Sequence, residues 1–171
     1  PRLKGGMMIG GSHMFFGTGF PSCATVTADS DEFPKTITID YSEGCSGRMG
    51  LEKKGVITIF MSDTITEVGA YYTVTIENMT IGQREITKTA TYTNDGENDA
   101  GNLVISFESL STTSFEKDGE TYTIVREFTG QREWLEGFDT PQVTDDIFYL
   151  TRDGSITVND ELTFEKTTIE P

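Results

Sequence analysis

Along much of the chain threonine takes every second position, and few folds tolerate that rhythm. There are 27 threonines in 171 residues, set between aliphatic and aromatic side chains. In KTITIDY, Ile37, Ile39 and Tyr41 alternate with Thr36, Thr38 and Asp40. In YTVTIEN, Tyr72, Val74 and Ile76 oppose Thr73, Thr75 and Glu77. REITKTATYT sets Ile86, Ala90 and Tyr92 against Thr87, Thr89 and Thr91, and NLVISFESL puts Leu103, Ile105 and Phe107 on one side. A period of two in β-branched residues is the mark of strands with one dry and one wet face. Antiparallel sheets are the kind that tolerate a solvated face.

Turn-forming clusters separate these runs: DSDEFP, SEGCSGRMG, IGQ, NDGENDAGN, EKDGE, TRDG and VND. No segment keeps a helical period over three turns; the weak candidates are the first twenty residues and FESLSTTSFEKD. The expectation is an all-β, antiparallel, mostly meandering chain of about nine or ten strands. A long flat sheet leaves its apolar face wet, so the ribbon should curl into a sandwich, a half-barrel or a barrel. Residues 23–171 read as a single domain behind an arm, 1–22, of uncertain order.

Charge and cysteine usage narrow the partners. The 13 basic and 28 acidic residues give a net charge of -15, which repels phosphate backbones and anionic lipid; nucleic acid and membrane-surface partners are disfavoured. No run of about 18 apolar residues is present, so no transmembrane helix is expected. The opening PRLKGGMMIGGSHMFFGTGFPSC has basic, apolar and Ser22-Cys23 parts in the order of a lipoprotein signal. Its apolar stretch is broken by Gly, Ser12 and His13, so it reads as mature sequence with an export signal upstream. GSHM, Gly11 to Met14, looks like a vector scar, against which stand the ten residues before it; either way the only histidine, His13, is no evidence of chemistry.

Cys23 and Cys45 are the only cysteines, too few without further histidines for an ordinary four-ligand zinc site. In an exported protein they pair, closing a loop worth roughly 3 kcal/mol on the chain-entropy model; in a reducing compartment they stay two buried thiols. DGENDAGN alternates Asp95, Glu97 and Asp99 but lacks the other parts of an EF-hand loop, which leaves a flexible hairpin. No metal or cofactor is indicated.

The segment GQREWLEGFDTPQVTDDIFYL holds the only tryptophan. From Tyr122 onward the even positions, Ile124, Arg126, Phe128, Gly130, Arg132 and Trp134, share one face of a long strand. This face is a possible ligand patch, made of Arg126, Phe128, Arg132 and Trp134, with Arg132 lying against Trp134 or Phe128. A loop containing Pro141 follows, and IFYL starts the next strand. Glu133, Glu136, Asp139, Asp145 and Asp146 raise the question of a glycosidase, which needs two carboxylates about 5–9 Å apart across a sugar. Acidic chains meet that requirement by accident, and no Gly-x-Ser-x-Gly, phosphate loop or Cys/His pair accompanies them.

CATVT, FPKTITIDYSEGC, GRMGLEKKGVITI, YYTVTIENMTI and REWLEGFDTPQVTDDIFYL occur in this order between Cys23 and Leu150. Together they resemble a family of exported Bacteroidetes proteins described as hypothetical lipoproteins. Tyr41-Ser42 departs from that family's Phe-Gly, and the likeness fades after Leu150. It implies an extracytoplasmic place (periplasm or outer-membrane surface), a lipid anchor upstream, and Cys23 with Cys45 as the recurrent pair. It implies no reaction. It also implies O-glycosylation at Asp-Thr followed by an apolar residue, which Asp63-Thr64-Ile65 fits, making Thr64 a glycan candidate.

Three functions compete on this reading. The first is a noncatalytic envelope or surface β-domain with a binding, adhesion or assembly role toward an unknown protein or carbohydrate. The second is a carrier of an apolar or carbohydrate ligand in a curled sheet lined by Phe128, Trp134, Tyr72 and Phe148, which requires a cavity of about 300 Å³ or more. The third, a carboxylate-dependent glycoside hydrolase, ranks last.

Overall fold

The computed structural model of the chain describes residues 23–46, 50–137 and 146–167. They form ten strands: β1 (Thr25–Ala28), β2 (Lys35–Asp40), β3 (Cys45–Ser46), β4 (Glu52–Met61) and β5 (Tyr71–Ile81) come first. Then come β6 (Arg84–Glu97), β7 (Leu103–Lys117), β8 (Glu120–Glu136), β9 (Ile147–Val158) and β10 (Glu161–Lys166). All belong to one antiparallel sheet in the order β1-β2-β4-β5-β6-β7-β8-β9-β10, with β3 pairing β4 beside the end of β2. β1 and β10 stand at opposite edges, so the sheet is curled but open rather than a closed barrel. The described residues contain no helix long and apolar enough to cross a membrane.

Register turns the threonine alternation into two chemically distinct faces. Thr27, Thr38, Thr58, Thr75 and Thr89 stand directly opposite one another across five adjacent strands. On the other face the next step of the ladder aligns Ile37, Ile59, Val74 and Ala90. Ile39, Ile57, Ile59 and Met61 are at most 1% exposed; each contributes about 1.5–3 kcal/mol through burial. The core continues through Tyr72, Ile76 and Met79 to Ile105 of β7 and Trp134 of β8, drawn together by the curl.

Turn chemistry sets the meander. Asp118-Gly119 and Asn159-Asp160 are two-residue hairpin loops with positive φ at both positions, the twist that suits right-handed strands. Gly55, at φ +129°, is a different case: a Cβ there would lie 2.8 Å from the Met79 backbone, where irregularities in β4 and β5 meet.

Two sequence expectations are corrected. TRDG, read as a turn, lies inside β9. There Gly154 opposes Phe128, and the missing side chain gives the ring and backbone of β8 their space. FESLSTTSFEKD, a weak helix candidate, is strand, most of it in β7, because Thr112 and Ser114 alternate faces with Thr113 and Phe115 along an unbroken pairing with β8.

Candidate functional site

The proposed patch lies where β6 to β10 extend beyond the buried core. Directly paired residues share a face, so register alone places Tyr92, Phe107, Gly130 and Arg152 in one row and Asn94, Ile105, Arg132 and Leu150 in the next. Arg126 and Phe128 occupy the neighbouring rows, opposite Ser111 and Ser109. All four predicted patch residues stand on this inner face, but they do not form a single group. Trp134 is only 6% exposed and belongs to the core.

The cations lie over rings. Arg132 sits 4.2 Å above the Phe148 ring centroid and 5.2 Å from that of Trp134. Phe128 is covered instead by Arg152, at 4.4 Å, because Arg152 stands one row away on β9. Arg84 lies 5.5 Å over Phe115, and Arg126 donates to the Thr113 hydroxyl at 3.5 Å. Burial lowers the Arg132 guanidinium from its ordinary value, opposed by Tyr72, Tyr92 and Asp146. Burial likewise lowers Lys88 and pushes Tyr72 well above the usual phenol range. Guanidinium over an aromatic face is favourable by about 0.5–2 kcal/mol according to exposure.

Between these side chains is a cavity of about 190 Å³ lined by Tyr92, Phe107, Phe128, Leu150, Arg132 and Arg152, among others. It is smaller than the roughly 300 Å³ at which small-molecule sites begin. Of the four aromatics expected to line a carrier, Tyr72 and Trp134 fill the core, at 3% and 6% exposed, and only Phe128 borders this cavity. A shallower depression of about 470 Å³ lies on the opposite face over Gly130, bordered by Thr91, Glu108 and Gln131.

Of the acidic set, Glu133 and Glu136 both stand against β9, opposite Tyr149 and Ile147. Glu133 points to the outer face, opposite Tyr149, and its Oε1 accepts hydrogen bonds from Asn102 at 2.8 Å and Asn98 at 2.7 Å. These amides hold its carboxyl below the ordinary value. Asp146 acts electrostatically on Arg132; Asp139 and Asp145 lie outside the described residues. Of the segment read as a hairpin loop, Asp95 to Glu97 end β6; Asp95 accepts from the Ser106 hydroxyl at 3.1 Å, and Asn98 and Asn102 of the short loop that follows serve Glu133.

A disulfide joins Cys23 and Cys45, whose Cα atoms are 5.4 Å apart across a separation of 22 residues. It ties the chain just before β1 to β3. Thr64 is exposed between β4 and β5, its N–H donating to Asp63 Oδ1 at 2.7 Å, while Ile65 beside it is 8% exposed.

No family model, curated protein or solved structure matches the chain. The sequence reading missed Arg152, Tyr92 and Phe107. Alternation was the available signal: once β8 and β9 pair, Arg152 must share the face of Phe128.

Proposed function

We propose that the chain is a noncatalytic, exported envelope or surface β-domain that works by binding, adhesion or assembly through the inner face of β6–β10. One observation carries this reading: a chain of net charge -15 gathers Arg84, Lys88, Arg126, Arg132, Arg152 and Lys166 on that face among aromatic rings. Arginine and aromatic side chains together on an open sheet are the composition of contact surfaces rather than of solvated exteriors. The disulfide supports an oxidising compartment, in keeping with the likeness to exported lipoproteins and an anchor upstream. The carrier reading draws less support, because the cavity of about 190 Å³ is small and two arginines, Arg132 and Arg152, stand among its lining residues.

The test is titration of the labelled chain against isolated envelope material, beside Arg126→Gln/Arg152→Gln. Saturable binding that the double variant loses supports the proposal. Binding that ignores both arginines, or release of sugar products by the wild type, overturns it.

A further inference from the structure

Strand geometry sorts the charges of β6–β10 by sign. Every lysine and arginine of these strands stands on the inner face. Glu85, Glu108, Glu127, Glu133, Asp153 and Glu165 stand on the outer face, and the inner face carries carboxylates only at strand ends. The cause is local. Arg84-Glu85, Arg126-Glu127, Arg132-Glu133, Arg152-Asp153 and Glu165-Lys166 are adjacent pairs, and adjacent residues on a strand project to opposite sides. Such pairs cannot neutralise each other within one sheet. The Lys54–Glu52 ion pair lies outside these strands, on β4.

Resting on the reading of this face as a noncatalytic binding surface, we propose that its occupant is a second copy of the chain. The basic inner face of β6–β10 takes the acidic outer face of the same strands in the next molecule, stacking copies face to back. Complementary charge is present on the chain itself, and it stands on a matching lattice. Both faces share one strand spacing, and β6 and β8 run in the same direction. A copy stacked about 10 Å away and slid by one residue, about 3.4 Å, sets Glu85, Glu127 and Glu133 over Arg84, Arg126 and Arg132. The curl agrees, since a concave inner face receives a convex outer one. Because the two surfaces differ, the contact is heterologous and does not close: each added copy leaves one basic and one acidic face free. Short-range pairing must overcome repulsion between two molecules of charge -15, which physiological salt screens beyond about 8 Å.

Sedimentation velocity on the intact chain, over a concentration series at about 0.15 M salt, reads the outcome. The expected result is a mean mass that climbs past dimer without a plateau. Two reversals then assign the faces: Arg84→Glu/Arg126→Glu on the inner side, and Glu85→Arg/Glu127→Arg on the outer. Each alone should remain monomeric, and an equimolar mixture should assemble, since each then offers the face the other lacks. Should a reversed variant fail to fold by circular dichroism, the neutral Arg126→Gln and Glu127→Gln serve, each weakening association about tenfold. A wild type that is monomeric throughout overturns self-stacking; if that monomer still binds envelope material through Arg126 and Arg152, the broader reading of the face stands. Assembly that survives both reversals also overturns it, and points to pairing through the open edges at β1 and β10.

Discussion

Replacing Asn94 by alanine should destabilise the chain more than its small size suggests. Asn94 is 0% exposed in an otherwise apolar core. Its Nδ2 donates to the Ile65 carbonyl and its Oδ1 accepts from the Gly96 N–H, each at 2.8 Å. Its backbone binds Ala70 and Gly69 as well, so the side chain completes the attachment of the β4–β5 connection to β6. Alanine removes two hydrogen bonds worth about 1 kcal/mol each and leaves a carbonyl and an amide without a buried partner, at about 1 kcal/mol or more apiece. The expected loss is about 3–5 kcal/mol, or about 10 °C in Tm for a chain of this size. Urea unfolding followed by tryptophan fluorescence measures it, since Trp134 is in the same core. Thr89→Ala, exposed on the outer face, is the control and should stay within about 0.5 kcal/mol. A cost below about 1 kcal/mol for Asn94→Ala would show that the connection does not depend on this residue. Asn94→Asp adds a sign. Its carboxyl would be buried facing a carbonyl, so its pKa is raised on folding. The variant is then most stable at acid pH and loses stability as pH rises past the ordinary carboxylate range.

Other outcomes follow from the same structure. Cys45→Ser should cost about 3 kcal/mol through the loop of 22 residues it frees, read as a lower urea midpoint than that of the oxidised wild type. Gly130→Ala places a Cβ against the Thr151 carbonyl and 2.8 Å from the Phe107 ring; it should cost about 1–3 kcal/mol by overpacking, and calorimetry decides. The Glu133 carboxyl is held low by Asn102 and Asn98, so its contribution is complete above the ordinary value of 4.5 and fades as pH falls through the lowered one. Glu133→Gln should therefore be less stable than wild type at neutral pH, with the gap closing on acidification; a gap independent of pH contradicts this. In the native host Thr64 is expected to carry a glycan, and an intact mass without added sugar removes that idea.

Much of the fold was legible in the sequence because β-branched alternation reports which face each residue takes. The strands that hold KTITIDY, YTVTIEN, REITKTATYT and NLVISFESL follow from it, as does the shared face of Arg126, Phe128, Arg132 and Trp134. Gly154 misled because glycine after aspartate signals a turn, whereas here it makes room for Phe128 across the ladder. The partner of each arginine was hidden for a related reason: Arg132 meets Phe148 and Arg152 meets Phe128 only once β8 and β9 are aligned. Net charge concealed the basic face altogether. It sums both sides of a sheet, while the adjacent Arg-Glu and Arg-Asp pairs separate them.

All of this depends on register, since a slip of one residue between β7 and β8 would send Arg126, Arg132 and Phe128 to the other face. Cross-strand Hα–Hα nuclear Overhauser contacts in the labelled protein measure that register directly. They should fall at alternate pairs of the series Phe107–Gly130, Ser109–Phe128, Ser111–Arg126 and Thr113–Ile124 and their intervening partners. Contacts displaced by one position, such as Ser109 to Glu127, would contradict the two-faced sheet.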